Sequence, residues 1–167
     1  IKNVPNGKST GIDNIQVKLL KISSTAISSS LAYIFNMSLS SGKFPTDWKM
    51  ARISPIYKKG SRIEPGNYRP VSVLPVVSKF LERIVHKQLY DHMNVNKLLC
   101  NQQSGFRPRH SCHTSLHRLT ESFYQELNKG KVIGMIALDL KKAFDTVNHD
   151  IMLQKLDYYG IKFAEHD

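Results

Sequence analysis

The chain has 167 residues, 41% of them hydrophobic and 22% charged, which is the composition of about one globular domain and not of a disordered, collagenous or coiled-coil chain. Its longest apolar run, residues 132–138, falls far short of the roughly 20 residues a membrane helix needs, and two cysteines are too few for a disulfide framework and fit a reducing, intracellular setting, nucleus or cytoplasm. The net charge is +11, and residues 49–118 hold 13 basic against 3 acidic side chains, a concentration expected where a polyanion lies against the chain, although charge alone fits a solvated surface equally well. The opening Ile-Lys-Asn-Val-Pro has neither an initiator Met nor a signal-peptide pattern, so a piece of a longer chain is expected.

Taken in chain order, Asp13 is placed to cap a first helix through Ile22. A serine-rich helix over residues 23–41 follows, its apolar Ala26, Ile27, Leu31, Ile34, Phe35 and Leu39 at helical spacing, with Gly42 and Pro45 as its stop. Residues 50–57 read as a strand, 58–67 as turn material with Gly60, Pro65 and Gly66, and 69–74 as a second short strand. A hairpin is expected, with Pro55 and Pro70 confining it to an edge. Pro75 opens an amphipathic helix carrying Val76, Val77, Phe80, Leu81, Ile84, Val85 and Leu89. A loop over residues 94–109 leads to a helix at 111–128 that stops at Gly130. The nearly all-apolar residues 132–138 predict a strand covered on both faces, which would deliver Asp139 to its edge. A last helix over 148–159 ends at Gly160. The fold class is α+β and helix-rich.

Two features suggest chemistry. Asp139 leaves an apolar strand, with Phe144 five residues on and Asp145 after it; a magnesium ion needs such a hard oxygen ligand and keeps waters and substrate phosphates for the rest. On its own, a strand-end aspartate serves equally as a turn or helix cap. His113 and His117 stand four apart beside Cys112, but no HExxH pattern accompanies them and Cys112 faces another way, which argues against zinc. There is also no P-loop, no Gly-x-Gly-x-x-Gly, no Gly-x-Ser-x-Gly and no Cys-x-x-Cys.

Five blocks resemble the reverse transcriptases of non-LTR, LINE-type retrotransposons, especially the jockey-like group. They are residues 8–15 (KSTGIDNI), 48–60 (WKMARISPIYKKG), 67–85 (NYRPVSVLPVVSKFLERIV), 103–111 (QSGFRPRHS) and 137–149 (ALDLKKAFDTVNH). In the first, the family often reads Gly-Pro-Asp-Gly where this chain has Gly-Ile-Asp-Asn. The resemblance implies the fingers and partial palm of a right-hand polymerase, with a fingers hairpin and at least one buried palm strand. Residues 1–110 would be N-terminal helices and fingers, and 111–167 the start of the palm.

The resemblance also implies roles. Asp139 would be the first catalytic carboxylate and, with Leu140, a metal ligand, two Mg²⁺ ions serving the complete enzyme. Lys58 and Arg69 would meet the incoming triphosphate, which suits a planar guanidinium, and Phe144 would face the sugar; without the resemblance these are two solvent-facing charges and a core phenylalanine. Gln103, Gly105, Phe106, Arg107 and Arg109 would cradle the template. The implied partners are an RNA template, a DNA primer and deoxynucleoside triphosphates, without a membrane; protein partners are not implied. The family's second carboxylate motif, an aromatic-x-Asp-Asp hairpin, has no match, for no Asp-Asp pair occurs and only 28 residues follow Asp139. The palm is expected to be incomplete, and the chain alone inactive, or a nucleic-acid-binding remnant without catalysis.

Overall fold

A computed structural model describes residues 1–7, 9–140 and 142–162 of the chain. They form α1 (Val17–Ile22), α2 (Ser24–Ser41), α3 (Thr46–Lys49), β1 (Arg52–Tyr57), β2 (Tyr68–Val73), α4 (Val76–Val95), α5 (Cys112–Leu127) and α6 (His149–Tyr158), with a 3-10 turn at Pro65–Asn67. Lys8 of the first matched block, Lys141 of the last, and residues 163–167 lie outside the described residues. The described chain divides into two units, 1–90 and 91–162, with the division inside α4.

In residues 1–90, the apolar spacing on three helices converges on one core. Val17 and Leu20 of α1, Phe35 of α2, and Val76, Val77, Phe80 and Leu81 of α4 are buried together with Val4. Trp48 of α3 meets Phe35 and Phe44 edge-to-face, at centroid distances of 5.7 and 6.1 Å, geometries that favour aromatic pairs beyond their area. Helix α2 stops at Gly42, whose φ of 64° is the left-handed cap a glycine adopts without strain, and Ser38 Oγ donates to the Lys43 carbonyl just past the turn (2.9 Å). Asp13 does not cap α1. Its carboxylate accepts from Ile15 N (3.2 Å), and α1 begins after Gln16, which makes no side-chain cap, because the Asx turn uses up the acceptor two residues too early.

The sheet is the expected hairpin. β1 and β2 pair antiparallel from Arg52↔Val73 through Tyr57↔Tyr68, and the two prolines face one another at Pro55↔Pro70. Both lack an N–H, so placing them opposite each other concentrates the missing donors at one rung. Upstream of the hairpin, Gly11 crosses the β2–α4 junction so closely that a Cβ there would lie 2.5 Å from Pro75 N. Only a glycine permits that approach.

Residues 91–162 are organised differently. Ser111 and Thr114 form a reciprocal capping box at the start of α5, and Asn148 caps α6 through Ile151 N (3.1 Å). His92, near the end of α4, donates from Nε2 to the Tyr159 carbonyl at the end of α6 (2.9 Å). None of the described residues after Leu81 is buried.

The helix-rich α+β expectation with one short hairpin holds. The expected buried palm strand does not: residues 132–138 are irregular, and Val132, Ile136 and Leu138 are 98%, 86% and 90% exposed. A strand needs a neighbour to take its backbone N–H and C=O groups. Among the described residues the sheet comprises β1 and β2 alone, and Gly134 further weakens the extended form. No helix among them is long and apolar enough to cross a membrane.

Candidate functional site

The hairpin presents two of the expected site residues. Lys58 directly follows β1, and its backbone N–H donates to the Asn67 carbonyl (2.8 Å), extending the ladder one rung toward the turn. Arg69 is the second residue of β2, opposite Ile56. Side chains opposite each other in an antiparallel pair share a face, so Arg69 shares one with Ile56, Ser54 and Arg52. Lys58 and Arg69 are exposed.

The connection between them is held by its own polar groups. Tyr68 Oη donates to the Arg62 carbonyl (2.8 Å), Asn67 Nδ2 to the Ser61 carbonyl (2.8 Å) and Tyr57 Oη to the Gly60 carbonyl. The Tyr57 and Tyr68 rings meet at 5.7 Å, and the Arg62 guanidinium stands 5.1 Å over the Tyr57 ring, a cation–π contact. Gly60 has φ +88°, which favours a glycine, and a Cβ there would also displace Asn67 Nδ2, 2.7 Å away. Arg52 is spoken for: its Nη2 donates to the Thr10 carbonyl (2.8 Å), tying β1 to the first matched block. Sequence reasoning missed that tie, since a carbonyl acceptor 42 positions away has no local signature.

The remaining expected residues lie in the second unit. Two guanidiniums shape the loop before α5: Arg107 Nη1 donates to the Cys100 carbonyl (2.9 Å) and Arg118 Nη1, from α5, to the neighbouring Asn101 carbonyl (2.8 Å). Gln103 Nε2 closes the inner turn on the Gly105 carbonyl (3.1 Å). Phe106 and Arg109 both have left-handed backbones, φ +59° and +64°, and both side chains are exposed. Gly105 needs no such freedom and has open space where a Cβ would sit. The five residues expected to cradle a strand therefore divide, with Gln103 and Arg107 building the loop while Phe106 and Arg109 project from it. Arg118 was not among the five cradle residues, and only its charge marked it as a strand contact; here that guanidinium is turned onto a backbone carbonyl.

Phe144 sits in a turn where Asp145 N donates to the Lys142 carbonyl (2.9 Å). Its ring meets Phe106 edge-to-face, with centroids 6.0 Å apart and planes at 89°, so the structure brings together two residues that lie in separate sequence blocks. Asp139 and Leu140 lie in the irregular, exposed stretch just before. A leucine offers a metal only its backbone carbonyl. An aspartate carboxylate beside that carbonyl suits a hard divalent cation in donor type, but in number the set falls short: no group of three or more His, Cys, Asp or Glu gathers among the described residues. At the end of α5, the carboxyl of Glu126 is held below its usual range by the ammonium groups of Lys129 and Lys131, which both donate to it.

Comparison with known proteins adds a common thread. The family model described as reverse transcriptase (RNA-dependent DNA polymerase) matches residues 56–164. The chain is 38% identical over 168 residues to a probable RNA-directed DNA polymerase from transposon BS of Drosophila melanogaster, which covers 96% of this chain and 18% of that protein. It is 34% identical over 157 residues to the RNA-directed DNA polymerase from mobile element jockey of the same organism, covering 93% of this chain and 17% of that protein. A putative 115 kDa protein in the type-1 retrotransposable element R1DM, also from Drosophila melanogaster, is 29% identical over 164 residues. The chain thus spans less than a fifth of the curated relatives it matches first.

Proposed function

We infer the function from a plain premise: this chain belongs to the reverse transcriptase (RNA-dependent DNA polymerase) family, as a segment of the non-LTR, jockey-like kind. The proposal is that the polymerase it forms part of copies an RNA template into DNA from a DNA primer, using deoxynucleoside triphosphates and Mg²⁺. One observation carries this reading, namely that the family match over residues 56–164 encloses every residue assigned a role, from Lys58 to Phe144. Residues 1–110 would be N-terminal helices and fingers, and 111–167 the start of the palm.

Each role is the one the resemblance implies, and the chemistry of the side chain suits it. Arg69 and Lys58 flank the hairpin's turn as exposed cations; guanidinium forks match phosphate oxygens and an ammonium adds a point charge, so they bind and orient the triphosphate. Arg109 supplies a phosphate contact and Phe106 a stacking face for a single-stranded template, on the loop that Gln103, Gly105 and Arg107 form. Phe144 lies against the sugar and excludes a 2′-hydroxyl by volume. The Asp139 carboxylate and the Leu140 carbonyl would hold a magnesium ion, which when bound makes the primer hydroxyl a better nucleophile and neutralises charge on the leaving pyrophosphate. The chain's own part is to hold that ion, with further carboxylates needed to complete the set.

Primer extension tests the reading. The 167-residue chain by itself is expected not to extend a primer, whereas a full-length polymerase carrying it should do so with Mg²⁺ and lose essentially all extension on Asp139→Ala. A near-normal rate for that variant would remove Asp139 from the metal site.

A further inference from the structure

Two exposed phenylalanines meet in residues 91–162 for no reason that core packing supplies. Phe106 is 88% exposed and Phe144 80%, so neither ring is held by a surrounding core, and yet they pack edge-to-face at 6.0 Å and 89°. The Phe106 backbone has φ +59°, a left-handed conformation uncommon for a bulky residue and retained only where the surroundings enforce it. Those surroundings are visible. Arg107 and Arg118 donate to the successive carbonyls of Cys100 and Asn101 (2.9 and 2.8 Å), and Gln103 closes the turn on Gly105 (3.1 Å). The loop is thus built so that it brings one aromatic ring against Phe144.

We propose that Phe106 is a positioning residue for Phe144, and that the Arg107–Arg118 clamp on carbonyls 100 and 101 holds it there, so that the pair sets how firmly the site rejects ribonucleotides. The inference rests on the reading of Phe144 as the sugar-facing aromatic. A ring that rejects a 2′-hydroxyl by volume works only while it occupies one rotamer. Phe144 has no core to hold it, and an edge-to-face partner biases its rotamer by roughly threefold to tenfold. Phe106 acts through Phe144 and does not itself touch the sugar.

Two measurements test this. In the 167-residue chain, nuclear Overhauser contacts between the rings of Phe106 and Phe144 are expected, and their absence overturns the proposal. In a full-length polymerase carrying this segment, the readout is the ratio of kcat/KM for deoxy- over ribonucleoside triphosphates. Phe144→Val should lower that ratio most. Phe106→Ala should lower it by about threefold to tenfold whatever it does to template affinity, Phe106→Tyr should keep it, and Phe106→Ala combined with Phe144→Val should do no worse than Phe144→Val alone. A Phe106→Ala variant that keeps the ratio, beside a responsive Phe144→Val, would overturn the positioning role and leave Phe106 with its strand contact alone. An unchanged ratio in Phe144→Val would instead bring down the reading of Phe144 itself.

Discussion

Residues 1–90 and 91–162 carry apolar side chains in similar patterns and treat them in opposite ways. In the first unit, α1, α2 and α4 turn their stripes toward one another and bury Val17, Leu20, Phe35, Val76, Val77, Phe80 and Leu81. In the second, α5 keeps Leu116, Leu119, Tyr124 and Leu127 exposed, and Val132, Met135, Ile136 and Leu138 are exposed likewise. Its order comes instead from directional contacts: the Ser111–Thr114 capping box, the guanidinium clamp on carbonyls 100 and 101 and the His92–Tyr159 bond. The contrast teaches that an amphipathic pattern states a demand for a partner without guaranteeing that the partner lies within reach. A second unit held by caps and hydrogen bonds gains only about 1 kcal/mol from each, whereas one buried leucine in the first is worth several times that.

Substitutions can break this contrast from its stronger side. Leu81 is 1% exposed, so Leu81→Ala should destabilise the first unit by about 2–5 kcal/mol, while Ile136→Ser in the exposed run should stay within about 0.5 kcal/mol. Denaturant unfolding, followed separately through Trp48 and through amide signals of α5, is the check; equal losses at both positions would mean that residues 132–138 are covered after all. Of intermediate size is Ser111→Ala, which removes the acceptor for Thr114 N (3.2 Å) and should cost α5 about 1 kcal/mol. It is read as faster amide exchange over residues 112–116 with the first unit unchanged, and exchange rates that stay as they were would show that burial, not the cap, starts α5.

The smallest effect is electrostatic. Because Lys129 and Lys131 hold the Glu126 carboxyl below its usual range, the folded state favours its charged form. That contribution is present in full above the ordinary glutamate range and is lost as pH falls through the lowered folded-state value. It is small at an exposed site and weakens further with salt. A titration of Glu126 by NMR should therefore show an apparent midpoint below that of an unstructured glutamate, and Lys131→Ala should move it back up. A midpoint unmoved by Lys131→Ala would leave Lys129 as the sole partner.

Much of this was legible from residue order because it depends on neighbours a few positions apart. The α2 stop is carried by Gly42, the α5 start by Ser111 and the α6 start by Asn148, each a matter of one side chain and the first turn beside it. The hairpin followed from two short apolar runs around a Gly- and Pro-containing turn. The five blocks, and with them the family, were likewise a property of order along the chain. Helix α3 escaped notice, since four residues between a proline and a strand are too few to show a period.

What tertiary structure alone decided are the partners of groups that reach across the chain. Arg52 donates to Thr10 and Arg118 to Asn101, 42 and 17 positions away; a guanidinium on a surface carries no mark of whether a carbonyl or a phosphate will receive it. Nothing in the residues around Gly11 tells that the β2–α4 junction passes 2.5 Å from where its Cβ would be. Residues 132–138 have the composition of a buried strand, yet a strand exists only when another backbone accepts its hydrogen bonds, and that condition is set by the fold and not by the segment. Phe106 and Phe144, 38 positions apart, became one feature only when the loop and the turn brought their rings together. Short-range order is written in the local conformational preferences of each residue, whereas burial and pairing are decided by which distant surfaces the finished fold brings within a few ångströms.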